Sequence, residues 1–148
     1  MTRRNLLATP LAAWERDGLK AALVKAGLPA DDVGDARLLF WRFETTDIPV
    51  GFGGLEIHGS DALLRSLVTL PPLRQIGMGA AMVAVLETEA RALKCRAIYL
   101  LTASDANFFG RLGYAPCARS DVPEAIRASR QFAEFCAPTA AAMVKRID

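Results

Sequence analysis

The sequence has few cysteines and no motif typical of a metal site. Its three cysteines, Cys95, Cys117 and Cys136, form no CxxC pair and stand at no Cys/His spacing. An odd number of cysteines without such spacing indicates neither a complete disulfide framework nor a zinc site. The sequence therefore predicts a protein without a metal, and it favours a reducing, cytoplasmic location.

Long apolar runs and an excess of one charge are also missing. The apolar stretch at 6–13 contains Pro10 and is followed at once by the charged residues 15–17, so we expect neither a signal peptide nor a membrane span. Eighteen Lys and Arg stand against sixteen Asp and Glu, which gives a net charge of +2, and the basic residues are scattered. This distribution argues against a nucleic-acid-binding protein.

The apolar content is sufficient for one compact core. With 52% hydrophobic residues, a chain of 148 residues can build one core but is short for two domains. We therefore predict a single domain over residues 1–148. The sequence leaves the oligomeric state open and is compatible with a homodimer.

Hydrophobic periodicity predicts strands first and strand–helix alternation later. Strands are expected at about 4–9, 36–44, 50–58, 63–70, 97–102 and 140–147, and helices from Pro10 to Gly27, at 77–94, after an N-cap at Ser104 and at 123–136. Hairpins make antiparallel neighbours, whereas a strand–helix–strand crossover makes a parallel pair. The predicted fold is α/β (α+β), with a mixed sheet flanked by helices.

The strand-to-helix turn at 74–79 is the strongest functional motif. It reads Arg74, Gln75, Ile76, Gly77, Met78 and Gly79. A phosphate-rich cofactor needs converging backbone N–H donors without side chains in the way, and the two glycines leave that space beside a helix N-terminus. Arg74 can offset part of the negative charge. Taken alone, the pattern fits an ordinary turn equally well.

The context of this turn resembles the GNAT acetyltransferase superfamily. The resemblance covers roughly residues 50–114 and includes the later run Phe108, Phe109, Gly110, Arg111, Leu112, Gly113 and Tyr114. It implies an acyl-CoA-dependent N-acetyltransferase that uses acetyl-CoA as cosubstrate, and a GNAT-like, mostly antiparallel sheet with a central parallel strand pair. The implied acceptor is the primary amine of a small molecule.

The same resemblance implies where acetyl-CoA binds. The turn would hold the pyrophosphate through main-chain amides, and the preceding strand would bond the pantetheine arm. The implied cofactor-binding residues are Val68, Thr69, Arg74, Gln75, Ile76, Gly77, Met78, Gly79 and Ala80. It further implies that the strands at 63–70 and 97–102 splay apart around the thioester.

One departure from the family pattern bears on catalysis. Many relatives carry a tyrosine as general acid where this chain has Phe109, which cannot donate a proton. Tyr99, Ser104 or water would have to substitute. The departure also supports an alternative function, a catalytically inactive acyl-CoA-binding module. A structural domain without a cofactor is a third hypothesis.

Glu56 is the candidate general base, because an acceptor amine must lose a proton before it attacks. Glu56 and His58 alternate onto one side of a regular strand, next to the glycines at 51, 53 and 54. Those glycines indicate either a β-bulge or the close approach of a ligand. The alternative for Glu56 is a solvated strand carboxylate, and for His58 a strand-end surface residue.

Arg65 and Arg42 are the candidate substrate-binding residues. Arg65 lies in an otherwise apolar strand, where an unpaired charge would be costly, so it should have an anionic partner. That partner is Glu56, another ion pair within the protein, or the carboxylate of the acceptor. Arg42 is a weaker candidate of the same kind.

A second resemblance points to a GNAT branch associated with bacterial arsenic-resistance operons. It rests on the segments 54–56, 62–68, 122–127 and 132–138. It implies an amino-acid acceptor or an arsenic-containing analogue of one. Cys117 and Cys136 offer soft thiolates for arsenite, but free cysteines usually serve as small buried apolar residues, which is the expectation here.

Overall fold

The computed structural model describes residues 6–46, 48–70, 77–135 and 139–148. Their strands are β1 (Leu7–Pro10), β2 (Leu39–Thr45), β3 (Ile48–His58), β4 (Asp61–Thr69), β5 (Ala97–Thr102), β6 (Ala115–Cys117) and β7 (Ala141–Arg146). Their α-helices are α1 (Asp17–Lys25), α2 (Met78–Ala92), α3 (Ala106–Arg111) and α4 (Glu124–Arg127). Short 3₁₀ turns occupy Ala13–Glu15 and Arg119–Asp121, and a π-helical turn spans Gln131–Phe135.

The strands form one sheet in the order β1-β2-β3-β4-β5-β7-β6. Neighbours are antiparallel except β4 and β5, which are parallel and joined by the crossover through α2. The predicted mixed sheet with a central parallel pair is therefore confirmed.

Alternating side chains cover the two faces of the sheet with different helices. Leu64 of β4 packs in a cluster with Met82 and Leu86 of α2, whereas its neighbour Leu63 packs with Ile126 of α4. On that second face α1 also contributes, through a cluster that contains Leu19, Leu23, Phe40 and Val68. Period-two alternation along the strands produces this separation. Helices α2 and α3 thus cover one face, and α1 and α4 the other.

The start of the first helix was predicted wrongly. Pro10 does not begin a helix; it pairs with Trp41 at the end of β1, and α1 starts only at Asp17. Proline is tolerated there because β1 is an edge strand, where a missing N–H need not break a ladder. The predicted stop is confirmed, since Gly27 takes a left-handed φ of 74° directly after α1.

Two later elements also differ from the prediction. Asp105, not Ser104, occupies the N-cap of α3, because its backbone N–H donates to Oγ1 of Thr102 at 2.9 Å and this bond fixes the turn. The tail expected to be helical at 123–136 is helical in two separate pieces, α4 and the π-helical turn. The short strand β6 was not predicted.

Candidate active site

A cleft opens where β4 and β5 diverge. The two strands pair only from Asp61 to Leu63 on β4, against Ala97 to Tyr99 on β5. Beyond Leu63 no further pair joins them in the described residues, and β5 continues its pairing with β7 up to Thr102. A cavity of about 800 Å³ occupies the opening.

A β-bulge accompanies the divergence of β4. Phe52 of β3 pairs with Val68 and Gly54 pairs with Arg65, so one residue of β3 faces two residues of β4. Ser66 lies in this bulge with a φ of 57°, which is costly for a side-chain-bearing residue. Because a bulge bends its strand and increases its twist, it turns the second half of β4 away from β5.

The glycines opposite the bulge are explained by the protein's own packing. A Cβ on Gly54 would lie 2.5 Å from the ring of Phe40, and one on Gly53 would lie 2.9 Å from Cδ1 of Leu86. The bulge inferred from these glycines is therefore confirmed. The groups that approach them closely are side chains of the chain itself.

The N-terminus of α2 lies at the cleft. Gly77 is its N-cap, with a left-handed φ of 80°, and no described side chain caps the helix. Gly77, Gly79 and Ala80 line the cavity. A Cβ on Gly79 would come within 3.2 Å of the Phe108 ring. The first N–H groups of a helix have no acceptor within it, so those of α2 can bind an anion.

The other predicted cofactor residues fall into two groups. Val68 and Thr69 at the end of β4 line the cavity as well. Met78 begins α2 but is not one of the lining residues. Three members of the motif, Arg74, Gln75 and Ile76, lie outside the described residues.

The second wall of the cleft comes from β5, α3 and the loop between them. Phe109 of α3 is buried and contacts Phe108 and Tyr114 edge to face, at centroid distances of 4.9 and 5.8 Å. Ser104 also lines the cavity. Tyr99 is not a lining residue; it packs in the cluster of Leu63, and burial raises its pKa. Of the two side chains considered as replacement acids, Ser104 is the one at the cleft.

The surroundings of Tyr114 make its hydroxyl unsuited to act as a general acid. Its hydroxyl donates to Glu87 at 3.0 Å, and Lys145 bonds the same carboxylate at 3.1 Å. Burial, followed by the charge of Glu87, raises the pKa of Tyr114 well above its usual value. The phenol therefore stays protonated and bound to Glu87.

Arg65 is the centre of a buried charge network beside the cleft. Its side chain is fully buried, and its guanidinium donates to both oxygens of Asp32 at 2.7 and 2.5 Å and to Glu56 at 2.7 Å. Its Nε donates to Oγ of Ser66 at 3.1 Å. Burial lowers the pKa of Arg65, but the hydrogen bonds and charges of the two carboxylates outweigh it and raise the pKa above its ordinary value.

The expected anionic partner of Arg65 is therefore present twice within the protein. Glu56 was one of the predicted partners, whereas Asp32 was missed because 31–35 looked like a polar link. The need of a buried arginine for carboxylates, together with the three aspartates at 31, 32 and 35, is the signal that could have found it. Arg42 pairs with Glu44 at 3.0 Å on the surface and does not line the cleft.

Glu56 and His58 share one side of β3, as predicted. Oε2 of Glu56 accepts from Arg65, and its Oε1 lies 3.2 Å from Nε2 of His58. Both residues line a second cavity of about 500 Å³, bordered also by Asp32, Asp35 and Ala128. Neither lines the cleft, whereas Arg65 does. Glu56 is therefore linked to the cleft only indirectly, by its hydrogen bond with Arg65.

The cysteines that the structure describes are free thiols. Cys95 is buried and Cys117 is partly buried, and desolvation raises the pKa of each, so both favour the protonated form. Cys136 lies outside the described residues. Among the residues described, no three His, Cys, Asp or Glu side chains are grouped to hold a metal ion, and no helix is long and apolar enough to cross a membrane.

A sheet with a splayed parallel pair, and a helix whose glycine-rich N-terminus lines the opening, are the features that the resemblance to the GNAT superfamily implies. A family comparison agrees with this assignment, since residues 5–114 match the acetyltransferase (GNAT) family. The chain belongs to that family. A search of curated proteins returned no match.

Several solved structures share this fold. N-acetylglutamate synthase from Neisseria gonorrhoeae, complexed with coenzyme A and N-acetyl-glutamate, aligns with 99% of this chain at a TM-score of 0.81 and 14% identity. This chain spans only 36% of that protein. Rv2747 from Mycobacterium tuberculosis, complexed with CoA, aligns over 95% of this chain and 98% of its own, with a TM-score of 0.76 and 17% identity.

Tetrahymena GCN5 gives a TM-score of 0.74 at 12% identity, over 96% of both chains. At such identities the likeness establishes the common fold.

Proposed function

We propose that this protein transfers the acetyl group of acetyl-CoA to the primary amine of a small molecule. The observation that carries the proposal is the cleft between β4 and β5, which has Gly77 and Gly79 of α2 at its edge. Structural neighbours from Neisseria gonorrhoeae and Mycobacterium tuberculosis were crystallised with coenzyme A, which supports this cosubstrate.

The cofactor would bind by backbone groups and a helix dipole. Amides at the N-terminus of α2 are suited to the pyrophosphate. The family resemblance assigns the motif residues 74–76 and Met78 to the same site. The resemblance implies that the strand before the turn bonds the pantetheine arm, and we assign Val68 and Thr69 of β4 to it because both line the cleft.

The reaction needs two proton movements around one bond exchange. The amine loses a proton, its nitrogen attacks the thioester carbon, a C–N bond forms, and the C–S bond breaks. The departing thiolate takes up a proton, which Phe109 cannot supply. Ser104 or water is the proposed donor, because Ser104 lines the cleft.

Glu56 remains the proposed acceptor of the amine proton, by way of water. Its link to the cleft is the 2.7 Å hydrogen bond with Arg65. Since its two oxygens already contact Arg65 and His58, Glu56 also has a clear positioning function. It fixes the guanidinium next to Ser66 and the bulge.

For the acceptor we propose an amino acid or an arsenic-containing analogue of one. The resemblance to the arsenic-associated branch and the N-acetyl-glutamate bound by the Neisseria synthase support this class. Arg65 is not our choice for holding the acceptor carboxylate, because Asp32 and Glu56 already neutralise its charge. Arg42 lies at the surface beside Glu44 and is a weaker choice still.

The test is acetylation of a panel of amines. The protein would be incubated with acetyl-CoA and, separately, with L-glutamate, L-glutamine, other amino acids and their arsenic and phosphorus analogues, and products would be detected by mass spectrometry. We expect acetyl-CoA-dependent acetylation of at least one amino compound. Tight acetyl-CoA binding without any transfer would instead support the inactive binding module, the alternative that Phe109 favours.

A further inference from the structure

Asp105 carries a carboxylate that the described part of the protein does not use. The residue follows β5, is exposed, and is one of those that line the cleft. Its backbone N–H donates to Oγ1 of Thr102 at 2.9 Å, but among the described residues no hydrogen bond or ion pair occupies its side chain. Aspartate at an N-cap normally accepts from the first amides of its helix, so the unused carboxylate is an exception.

Asp105 is the acidic member of the charged residues that line the cleft. The others in the described chain are Arg65 and Arg111. The charge of Arg65 is already matched by Asp32 and Glu56. Arg111 lies six positions further along α3, whereas side chains of a helix meet at a spacing of three or four, so it does not pair with Asp105. The cleft therefore presents one negative group that is open to a ligand.

Asp105 lies beside the part of the cleft where the thioester is expected. The last pair of β4 and β5 joins Leu63 to Tyr99, and Thr102, which lines the cleft, is three residues further along β5. The hydrogen bond with Thr102 keeps Asp105 at this level of the opening. The preceding residue is Ser104, the proposed proton donor for the departing thiolate. A ligand group that meets Asp105 is therefore close to the bond that the reaction exchanges.

The chemistry of a carboxylate restricts what that ligand group can be. An ionised carboxylate only accepts hydrogen bonds, so its partner must be a donor and is best a cation. Simple alkyl amines are mainly protonated at neutral pH, and their ammonium groups meet both requirements. The phosphates of acetyl-CoA are anionic and are repelled by a carboxylate. The acceptor amine is therefore the reactant that suits Asp105.

We propose that Asp105 binds the ammonium group of the acceptor and guides it to the thioester. This inference rests on the proposed acetyl transfer and adds to it a specificity-determining residue on the wall of the cleft. The ion pair forms before the amine loses its proton, which then leaves through water as proposed for Glu56. An acceptor whose amine is neutral at the assay pH gains no such ion pair.

The first test compares wild type, Asp105→Asn and Asp105→Glu with the amine of the panel that wild type acetylates fastest. Asparagine keeps the shape but removes the charge, so we expect KM for the amine to rise at least about 10-fold. Glutamate keeps the charge and should recover most of the affinity. KM for acetyl-CoA should not rise in either variant, since an anionic cofactor gains nothing from a carboxylate.

A matched control for Asp105→Asn is Asp121→Asn. Asp121 is an exposed aspartate in the turn Arg119–Asp121 and is not one of the residues that line the cleft. Its substitution changes the net charge of the protein by the same amount. We therefore expect KM for the amine to stay at the wild-type value in this variant.

Ionic strength and thermal unfolding separate binding from structure. Salt screens an exposed ion pair, so KM for the amine should rise with ionic strength in wild type and much less in Asp105→Asn. Asp105→Ala should leave Tm of the unliganded protein within about 2 °C of wild type, because its carboxylate caps no helix. Removal of a carboxylate that caps α3 would lower Tm further.

The outcomes distinguish this inference from the proposed function. If wild type acetylates no amine, the acetyl-transfer proposal and the role of Asp105 both fail. If wild type is active but Asp105→Asn has the wild-type KM for the amine, only the inference about Asp105 is overturned. An equal rise of KM in Asp121→Asn, or the same salt dependence in wild type and Asp105→Asn, would overturn it in the same way.

Discussion

The guanidinium of Arg65 lies between two buried carboxylates on the strand that borders the cleft. Asp32 binds it in a bidentate manner, Glu56 adds a third hydrogen bond, and the ring of Phe40 lies 5.5 Å from it. In such a network each charge depends on the others, because the interior solvates none of them. Single substitutions here should therefore have large effects on stability.

Replacing Arg65 by Met should lower the free energy of unfolding by about 3–5 kcal/mol, because two buried carboxylates lose their counter-ion. Arg42→Met is the matched control, since its partly exposed pair with Glu44 should contribute at most about 1 kcal/mol. Urea denaturation of both variants measures the difference.

Equal losses for Arg65→Met and Arg42→Met would contradict the network described above. Should Arg65→Met fail to fold, Asp32→Asn provides the same comparison in a milder form. It keeps the shape of Asp32 but removes its charge, and it should cost clearly more than Arg42→Met.

The sequence predicted that Arg65 needs an anionic partner, but it could not identify Asp32. The requirement follows from one residue in its strand, and burial of a charge has a known cost. The partner, in contrast, lies 33 positions away in a turn, and only the folded chain brings the two together.

Among the elements, β3 and β4 determine the shape of the cleft. The glycines of β3 allow Phe40 and the bulged strand β4 to approach closely. The bulge places Ser66 next to Arg65 and directs the end of β4 towards α2. Packing of one strand thus controls the position of residues on the next.

Gly54→Ala should destabilise the protein by about 1–3 kcal/mol, because its new Cβ would overlap the ring of Phe40. Gly34→Ala is the control, since nothing lies within 4 Å of a Cβ at that turn position. Chemical denaturation of both variants tests the packing. A loss for Gly54→Ala no larger than that for Gly34→Ala would show that β2 and β3 can separate without cost.

Elements with a clear apolar pattern were predicted well. The strand expected at 97–102 has those bounds, and the helix expected at 77–94 is α2 at Met78–Ala92. Weak local patterns gave the errors. The strand β6 has three residues with Pro116 in the middle, and the N-cap of α3 depends on a hydrogen bond that the Asp105 N–H donates to Thr102, which no periodicity indicates.

At the scale of the whole molecule, hairpins and a crossover predicted the mixed sheet, and this prediction is confirmed. The cleft could not be derived from those patterns, because it depends on how many residues of β4 and β5 pair before they diverge. Its expected place came from the family resemblance. The proposed site is thus a property of the whole sheet, with residues from both faces.

Thermal unfolding measured with and without acetyl-CoA tests most directly whether this cleft is a cofactor site. A ligand that binds only the folded protein adds about 2.7 kcal/mol of stability at 100 times its Kd, which raises Tm by several degrees. We expect that rise in Tm in wild type and in the control Gly110→Trp. Residue 110 is exposed on α3, and nothing lies within 4 Å of a Cβ placed there. Gly79→Trp, which fills the mouth of the cleft, should abolish the rise. An unchanged Tm of wild type at millimolar acetyl-CoA, or an equal rise in Gly79→Trp, would contradict the account.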